Sequence, residues 1–295
     1  MRVNPNPLPD LLSALGQTQQ QINTDLGEIA SGSSISQPSD DPAGAAMLVR
    51  NAGQTAEADQ FLRSASGLAS EMQNTDSALN SVVTSLQRAI TLGVEGANGT
   101  VSAADRAAIA EEVQGIQSQL VNLANLSYQG NFVFAGTANQ TAPYVLDATS
   151  PSGVKYVGNS GQNSVTVGDH LNITTNLPGS QLFSSSGTDM FQALQDLVTN
   201  LQSGTNIDTA VSEVSSAYDH INTQRAFYGN TINQLNSQQT YLNSETTQLA
   251  AQQNTIGGAD LPKVISDLEN AETSRQATLE AVAQRQQTNL FNYIK

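Results

Sequence analysis

A mainly α fold is predicted for this chain: an elongated antiparallel helical rod or coiled coil formed by its N- and C-terminal halves, with a small β-rich insert in the middle. Three observations predict it. Apolar residues step by four and three along Ile207, Val211, Val214, Tyr218, Ile221, Tyr228, Ile232, Leu235, Leu242 and Leu249, the period of a coiled-coil helix. Weaker stripes of the same period lie at both ends of the chain. Between Tyr128 and Ser186 the period is lost, and short aromatic and β-branched runs alternate with Gly, Asn, Ser and Pro.

Taken in order, the first stripe runs Leu8, Leu12, Leu15, Ile22, Leu26 and Ile29, broken only by Gln19. It follows Pro5, Pro7 and Pro9 and closes at Ser31-Gly32-Ser33-Ser34. A second helix opens at Ser39-Asp40-Asp41-Pro42, where Asp41 can accept from free backbone N–H groups and proline fits the first helical position. Its stripe (Leu48, Ala52, Leu62, Ala65, Ala69, Met72, Leu79, Val83, Leu86, Ile90) is expected to stop near Gly93 to Gly99. A third helix follows Ser102, with Asp105 three residues on as in a capping box. In the insert, Val165 and Val167, then Leu171 and Ile173, alternate with other residues as in half-buried strands. Phe191, Leu194, Val198 and Leu201 mark a short helix closed at Ser203-Gly204. The long stripe from Ile207 to Leu249 would span roughly 65 Å at about 1.5 Å per residue, which argues for an elongated molecule, and Gly257-Gly258 breaks it. The last helix, from about Asp260, carries Leu261, Ile265, Leu268, Leu279, Val282, Leu290 and Ile294, interrupted by Glu272, Arg275 and Gln286.

Composition narrows function. Charged residues make up 13% of the chain, about half the usual share of roughly 25%, and Gln, Asn, Ser and Thr take their place. Helix faces that are polar without charge suit surfaces that meet other protein. A formal net charge of −15 disfavours nucleic acid and anionic membranes, which are bound through Lys and Arg. No cysteine is present, so thiolate chemistry is excluded. No apolar run resembles a signal-peptide core or a membrane span, so neither export by a cleaved signal nor membrane insertion is expected. His170 beside Asp169 and His220 beside Asp219 form no catalytic constellation, Asp40-Asp41 is explained by capping, and neither an enzyme nor a cofactor is expected. Arg225, inside the long seam, could fix the register of a helix pair or could face solvent.

Several motifs recur in a known order. They are Met1-Arg2-Val3, Ser31-Gly32, Pro38-Ser39-Asp40-Asp41-Pro42-Ala43-Gly44, Leu86-Gln87-Arg88, Ala97-Asn98-Gly99-Thr100, Gln129-Gly130-Asn131-Phe132-Val133-Phe134-Ala135-Gly136-Thr137 and Asn289-Leu290-Phe291-Asn292-Tyr293-Ile294. In these the chain resembles the hook-associated protein 3 (FlgL-type) junction proteins of bacterial flagella, relatives of flagellin. The resemblance implies a structural, extracellular protein. Its copies would associate in a ring, with a neighbouring hook-associated junction protein on one side and flagellin on the other, after delivery by an export chaperone. It also implies terminal helices (1–37 and 257–295) that form the assembly core, a helical rod domain (38–137 and 187–256) and an outward-facing insert (138–186). The expected assembly interface is the two end seams: Leu8, Leu12, Leu15, Ile22, Leu26, Ile29, Leu261, Ile265, Leu268, Leu279, Val282, Leu290 and Ile294. Each seam is too polar to fold well alone, and two such seams make sense if they pair, in one molecule or between neighbours. A flagellin that forms the filament itself, or a secreted coiled-coil protein whose insert binds a ligand, would share many of these features.

Overall fold

A computed structural model describes residues 8–185 and 187–293, with side chains described as far as Gln284. The fold is mainly α, with short strand pairs in the middle of the sequence. Its elements are α1 (Leu8–Ser31), α2 (Pro42–Ala97), α3 (Ala103–Ala124), β1 (Ser127–Tyr128), β2 (Asn131–Phe132), β3 (Tyr144–Leu146), β4 (Val154–Tyr156), β5 (Ser164–Gly168) and β6 (Leu171–Thr174). They continue with α4 (Gly179–Leu182), β7 (Ser184–Ser185), β8 (Thr188–Asp189), α5 (Met190–Ser203), α6 (Ile207–Gly257) and α7 (Leu261–Tyr293). The chain divides into two compact units, one of Met1–Glu57 with Glu245–Lys295 and the other of Ala58–Ser244. Among the described residues no helix is long and apolar enough to cross a membrane.

The larger unit is built on the helical periods read from the sequence. Along α6, Val214, Ile221, Tyr228 and Leu235 are all fully buried, one every seven residues, and Ala210, Ala217 and Thr231 on a second such line are buried beside them. Arg225 sits between them and is tied down. Its Nε and Nη2 donate to the two carboxylate oxygens of Asp76 on α2 (3.0 and 3.2 Å), and Nη1 donates to Asn80 Oδ1 (3.2 Å). The register-setting role fits this geometry, since a forked guanidinium matches a carboxylate in one alignment of the two helices only.

The second helix ends at Ala97, within the stretch from Gly93 to Gly99 where the sequence places its stop. A Cβ on Gly93 would lie 2.5 Å from Val211 Cγ2, and one on Gly96 would run into Leu201. These glycines are therefore close-approach positions, where α5 and α6 come down onto the backbone of α2, and the helix continues to Ala97. Ser102 caps α3, accepting from Asp105 N–H (3.2 Å) and donating to the Asp105 carboxylate (2.7 Å). The aspartate thus binds the cap hydroxyl instead of reaching back to the cap N–H as the glutamate of a full capping box does.

The insert consists of two-stranded antiparallel pairs, β1–β2, β3–β4, β5–β6 and β7–β8. In the first, Gln129 and Gly130 both have positive φ (50° and 85°), the signature of the tight two-residue hairpin turn that suits the twist of the strands. A shift of register between Thr166 and Gly168 leaves Val167 and Ile173 in the core while Val165 and Leu171 remain partly exposed. Side chains lock the insert onto the helices. Asn125, at the end of α3, donates from Nδ2 to Tyr144 O (2.8 Å) and accepts from Tyr144 N–H (2.9 Å). The Tyr144 ring lies 5.1 Å from that of Phe191, and its burial holds the hydroxyl well above the usual tyrosine range.

Candidate assembly interface

The smaller unit contains the two end helices, and they pair with each other. Where α1 ends and α7 begins the backbones are hydrogen-bonded. Ser33 and Gly258 form an antiparallel bridge, Ser34 N–H donates to Gly257 O (2.8 Å), and Ala259 N–H donates to Gly32 O (3.0 Å). After the end of α1, Asp40 Oδ2 accepts from the N–H groups of Gln37 (2.8 Å) and Ser36 (3.1 Å). The bond from Gln37 is the main cause that holds its carboxyl below the ordinary aspartate range. Asp41 accepts from Ala43 N–H (3.0 Å) and so caps α2 as the sequence indicates.

Further along, Arg275 Nη1 donates to Gln19 Oε1 (3.4 Å). Moving from the turn toward Gln19 goes backward along α1, and moving toward Arg275 goes forward along α7, so the two helices run antiparallel. Gln19 and Arg275, which interrupt the two end seams, are thus partners of one another across the pair. This complementarity is legible only once the helices are side by side.

The face each helix turns inward keeps every second position of the apolar stripe in the sequence and differs by one position at the alternate ones. On α1, Ile22 and Asp25 are buried and Leu8, Leu11, Leu15, Thr18 and Ile29 half-buried. On α7, Val264 and Ala271 are buried, and Leu268, Arg275, Thr278 and Val282 half-buried. Leu11, Asp25, Val264 and Ala271 were not in the expected seams. Conversely, Leu12 (52%), Leu26 (49%), Leu261 (41%), Ile265 (46%) and Leu279 (48%) remain exposed. Leu290 and Ile294 lie outside the residues whose side chains are described.

These exposed residues have an order. With Ile22 and Asp25 as inward positions of α1, and Leu268 and Ala271 as those of α7, the residues following the second inward position in each heptad are Leu12, Gln19 and Leu26 on α1, and Ile265, Glu272 and Leu279 on α7. In an antiparallel pair, corresponding heptad positions of the two helices fall on the same flank. The end pair therefore carries a second apolar strip along one side, made by Leu12, Leu26, Ile265 and Leu279, with Gln19 and Glu272 between. Three inward-type positions per heptad, instead of two, is the pattern of a helix that packs against more than one neighbour. Large apolar side chains at nearly half exposure are thus aligned along one flank of the pair.

The two histidines have structural surroundings. His170 lies in the turn between β5 and β6 at φ 60°, with its ring exposed, and His220 Nε2 lies 2.9 Å from Gln181 O of α4.

Comparison with known proteins decides the family. The N-terminal helical region of bacterial flagellin matches residues 9–139, and its C-terminal helical region matches residues 211–294. The chain belongs to the flagellin family. Flagellar hook-associated protein 3 of Escherichia coli (strain K12) is 27% identical over 91% of this chain and 91% of its own length. Flagellin A of Vibrio anguillarum is 31% identical over 46% of this chain and 36% of its own length. The crystal structure of the flagellar junction protein FlgL from Legionella pneumophila shares the fold, with a TM-score of 0.63 at 16% identity over 72% of this chain and all of that one. Likeness along nearly the whole length sets this flagellin-family chain with the hook-associated junction proteins, as a structural component of the flagellum.

Proposed function

We propose that this protein joins the hook to the filament as a ring of copies, contacting a neighbouring hook-associated junction protein on one side and flagellin on the other. In this reading an export chaperone delivers it, it leaves the cell without a cleaved signal peptide, and it works outside the cell. The terminal segments, 1–37 and 257–295, form the assembly core, residues 38–137 and 187–256 the helical body, and residues 138–186 the outward-facing insert. The observation that carries the reading is the aligned apolar strip of Leu12, Leu26, Ile265 and Leu279, which the single chain leaves facing water although each residue lies beside a buried seam. A copy packed along that strip would cover it and complete the third inward position of each heptad.

Changing these four residues together to serine tests this. Substitutions at exposed positions typically change stability by less than about 0.5 kcal/mol each, so the variant should fold and be exported. The expected result is variant protein in the culture medium, hooks without filaments, and loss of motility. Filaments of normal number and length on cells that make only the variant would overturn the assignment of the strip.

A further inference from the structure

A second unfilled surface lies in the smaller unit, on the helix pair made by the start of α2 and the end of α6. These helices are joined by Asn51 Nδ2, which donates to Gln252 Oε1 (3.3 Å), and by a close approach at Gly257, where a Cβ would lie 2.9 Å from Leu48 Cδ1. Along one side of the pair runs an open groove of about 490 Å³, lined by Met47, Arg50, Asn51, Gln252, Thr255 and Ile256. Met47 is 50% exposed, and a flexible thioether adapts to an irregular contact. Across residues 42–56 and 246–257, the stretches that build the groove, Arg50 is the only charged residue. No described carboxylate pairs with it.

The flank strip of α1 and α7 has the complementary character. On α7, Glu272 stands two turns from both Ile265 and Leu279, which are nearly half exposed. No described basic group pairs with its carboxylate, and Arg275, one turn on, is engaged by Gln19. Each copy therefore offers an apolar edge with one acid at its centre, and a groove with apolar walls at Met47 and Ile256 and one base.

We propose that the groove between α2 and α6 receives the α7 edge of this strip from a second copy, with Glu272 of one copy paired to Arg50 of the next. The inference rests on the junction reading above and gives it a direction. Two different surfaces meet, so each copy uses its strip on one neighbour and its groove on the other, a head-to-tail contact that can close into a ring. Packing strip against strip would instead bring two Glu272 carboxylates into one apolar contact with no base to offset them. An ion pair enclosed by apolar neighbours is screened less than one in open water, so it also selects the register of the two copies.

Charge exchange tests this in cells that make only the variant, with incorporation read from immunoblots of purified flagella. Arg50→Glu and Glu272→Arg should each lower incorporation on the order of tenfold, and the chain that carries both should recover most of it. Both positions are exposed, so each purified variant should melt with the unsubstituted chain. Arg50→Gln, which removes the charge without reversing it, should lower incorporation less than Arg50→Glu. Asp267→Arg added to Arg50→Glu is the control: it restores the same net charge from the opposite flank of α7 and should not restore incorporation. Normal incorporation of either single charge reversal would overturn the proposal. So would a doubly changed chain no better than Arg50→Glu alone, or rescue by Asp267→Arg equal to that by Glu272→Arg. Failure of the junction reading itself would look different, because the unsubstituted protein would then be missing from the hook tip.

Discussion

Ile22→Asp is expected to detach α1 from α7 and to abolish assembly while leaving the larger unit folded. Ile22 is the most fully buried apolar residue of α1, at 3% exposure, and lies one turn from Asp25 on the same inward face. A second carboxyl there would have no partner, since the basic group known to cross the pair, Arg275, is engaged by Gln19. Burying an uncompensated carboxyl costs several kcal/mol as an order of magnitude, more than a pair of polar helices of this kind can absorb. Hydrogen exchange should show α1 amides at nearly unprotected rates, with α3 and α5 unchanged, and cells that make only this variant should lack filaments. Protection of α1 equal to that of the unsubstituted chain would show that the pair does not depend on this seam.

Phe191→Ala should have the largest effect on the larger unit. Phe191 is 1% exposed and opens α5, where its ring meets Tyr144 at 5.1 Å and Phe183 at 6.4 Å. It therefore joins the helices to the insert, and its removal leaves a cavity that aromatic neighbours held by Asn125 and Ser184 cannot easily fill. A loss of about 3 to 5 kcal/mol is expected for such a truncation. In a unit of this size that lowers the melting temperature by about 10 °C or more. The variant's end pair should keep its hydrogen-exchange pattern, which separates this effect from that of Ile22→Asp. A shift of a degree or less would mean that the insert packs on α5 without help from the ring.

The sequence carried the helices well because their boundaries rest on local chemistry: Ser102 and Asp105, Asp41 and Pro42, Gly204 after Ser203. The long α6 was legible for a different reason. Val214, Ile221, Tyr228 and Leu235 recur every seven residues as large apolar side chains, so the main buried line of the helix was marked without ambiguity. At the chain ends that uniqueness fails. Leu11 stands beside Leu12, and Val264 beside Ile265, so two neighbouring faces can each serve as a seam, and period alone does not choose between them. The structure keeps Leu8, Leu15, Ile22, Ile29, Leu268 and Val282 of the expected seams inward but, at the alternate positions, turns in Leu11, Asp25, Val264 and Ala271 and leaves Leu12, Leu26, Ile265 and Leu279 exposed. The glycines from Gly93 to Gly99 placed the end of α2 correctly, but that Gly93 and Gly96 also make room for Leu197, Leu201 and Val211 was visible only in the fold. The strands of the insert, at two to five residues, are too short for alternation to define their pairing.

The central claim is that this chain ends one structure and begins another, and does not build the filament. Immunogold labelling of intact flagella with antibody against this protein tests it most directly. A single narrow band where the curved hook meets the filament is the expected result. Label spread along the length of the filament would contradict the account and make the protein a filament subunit.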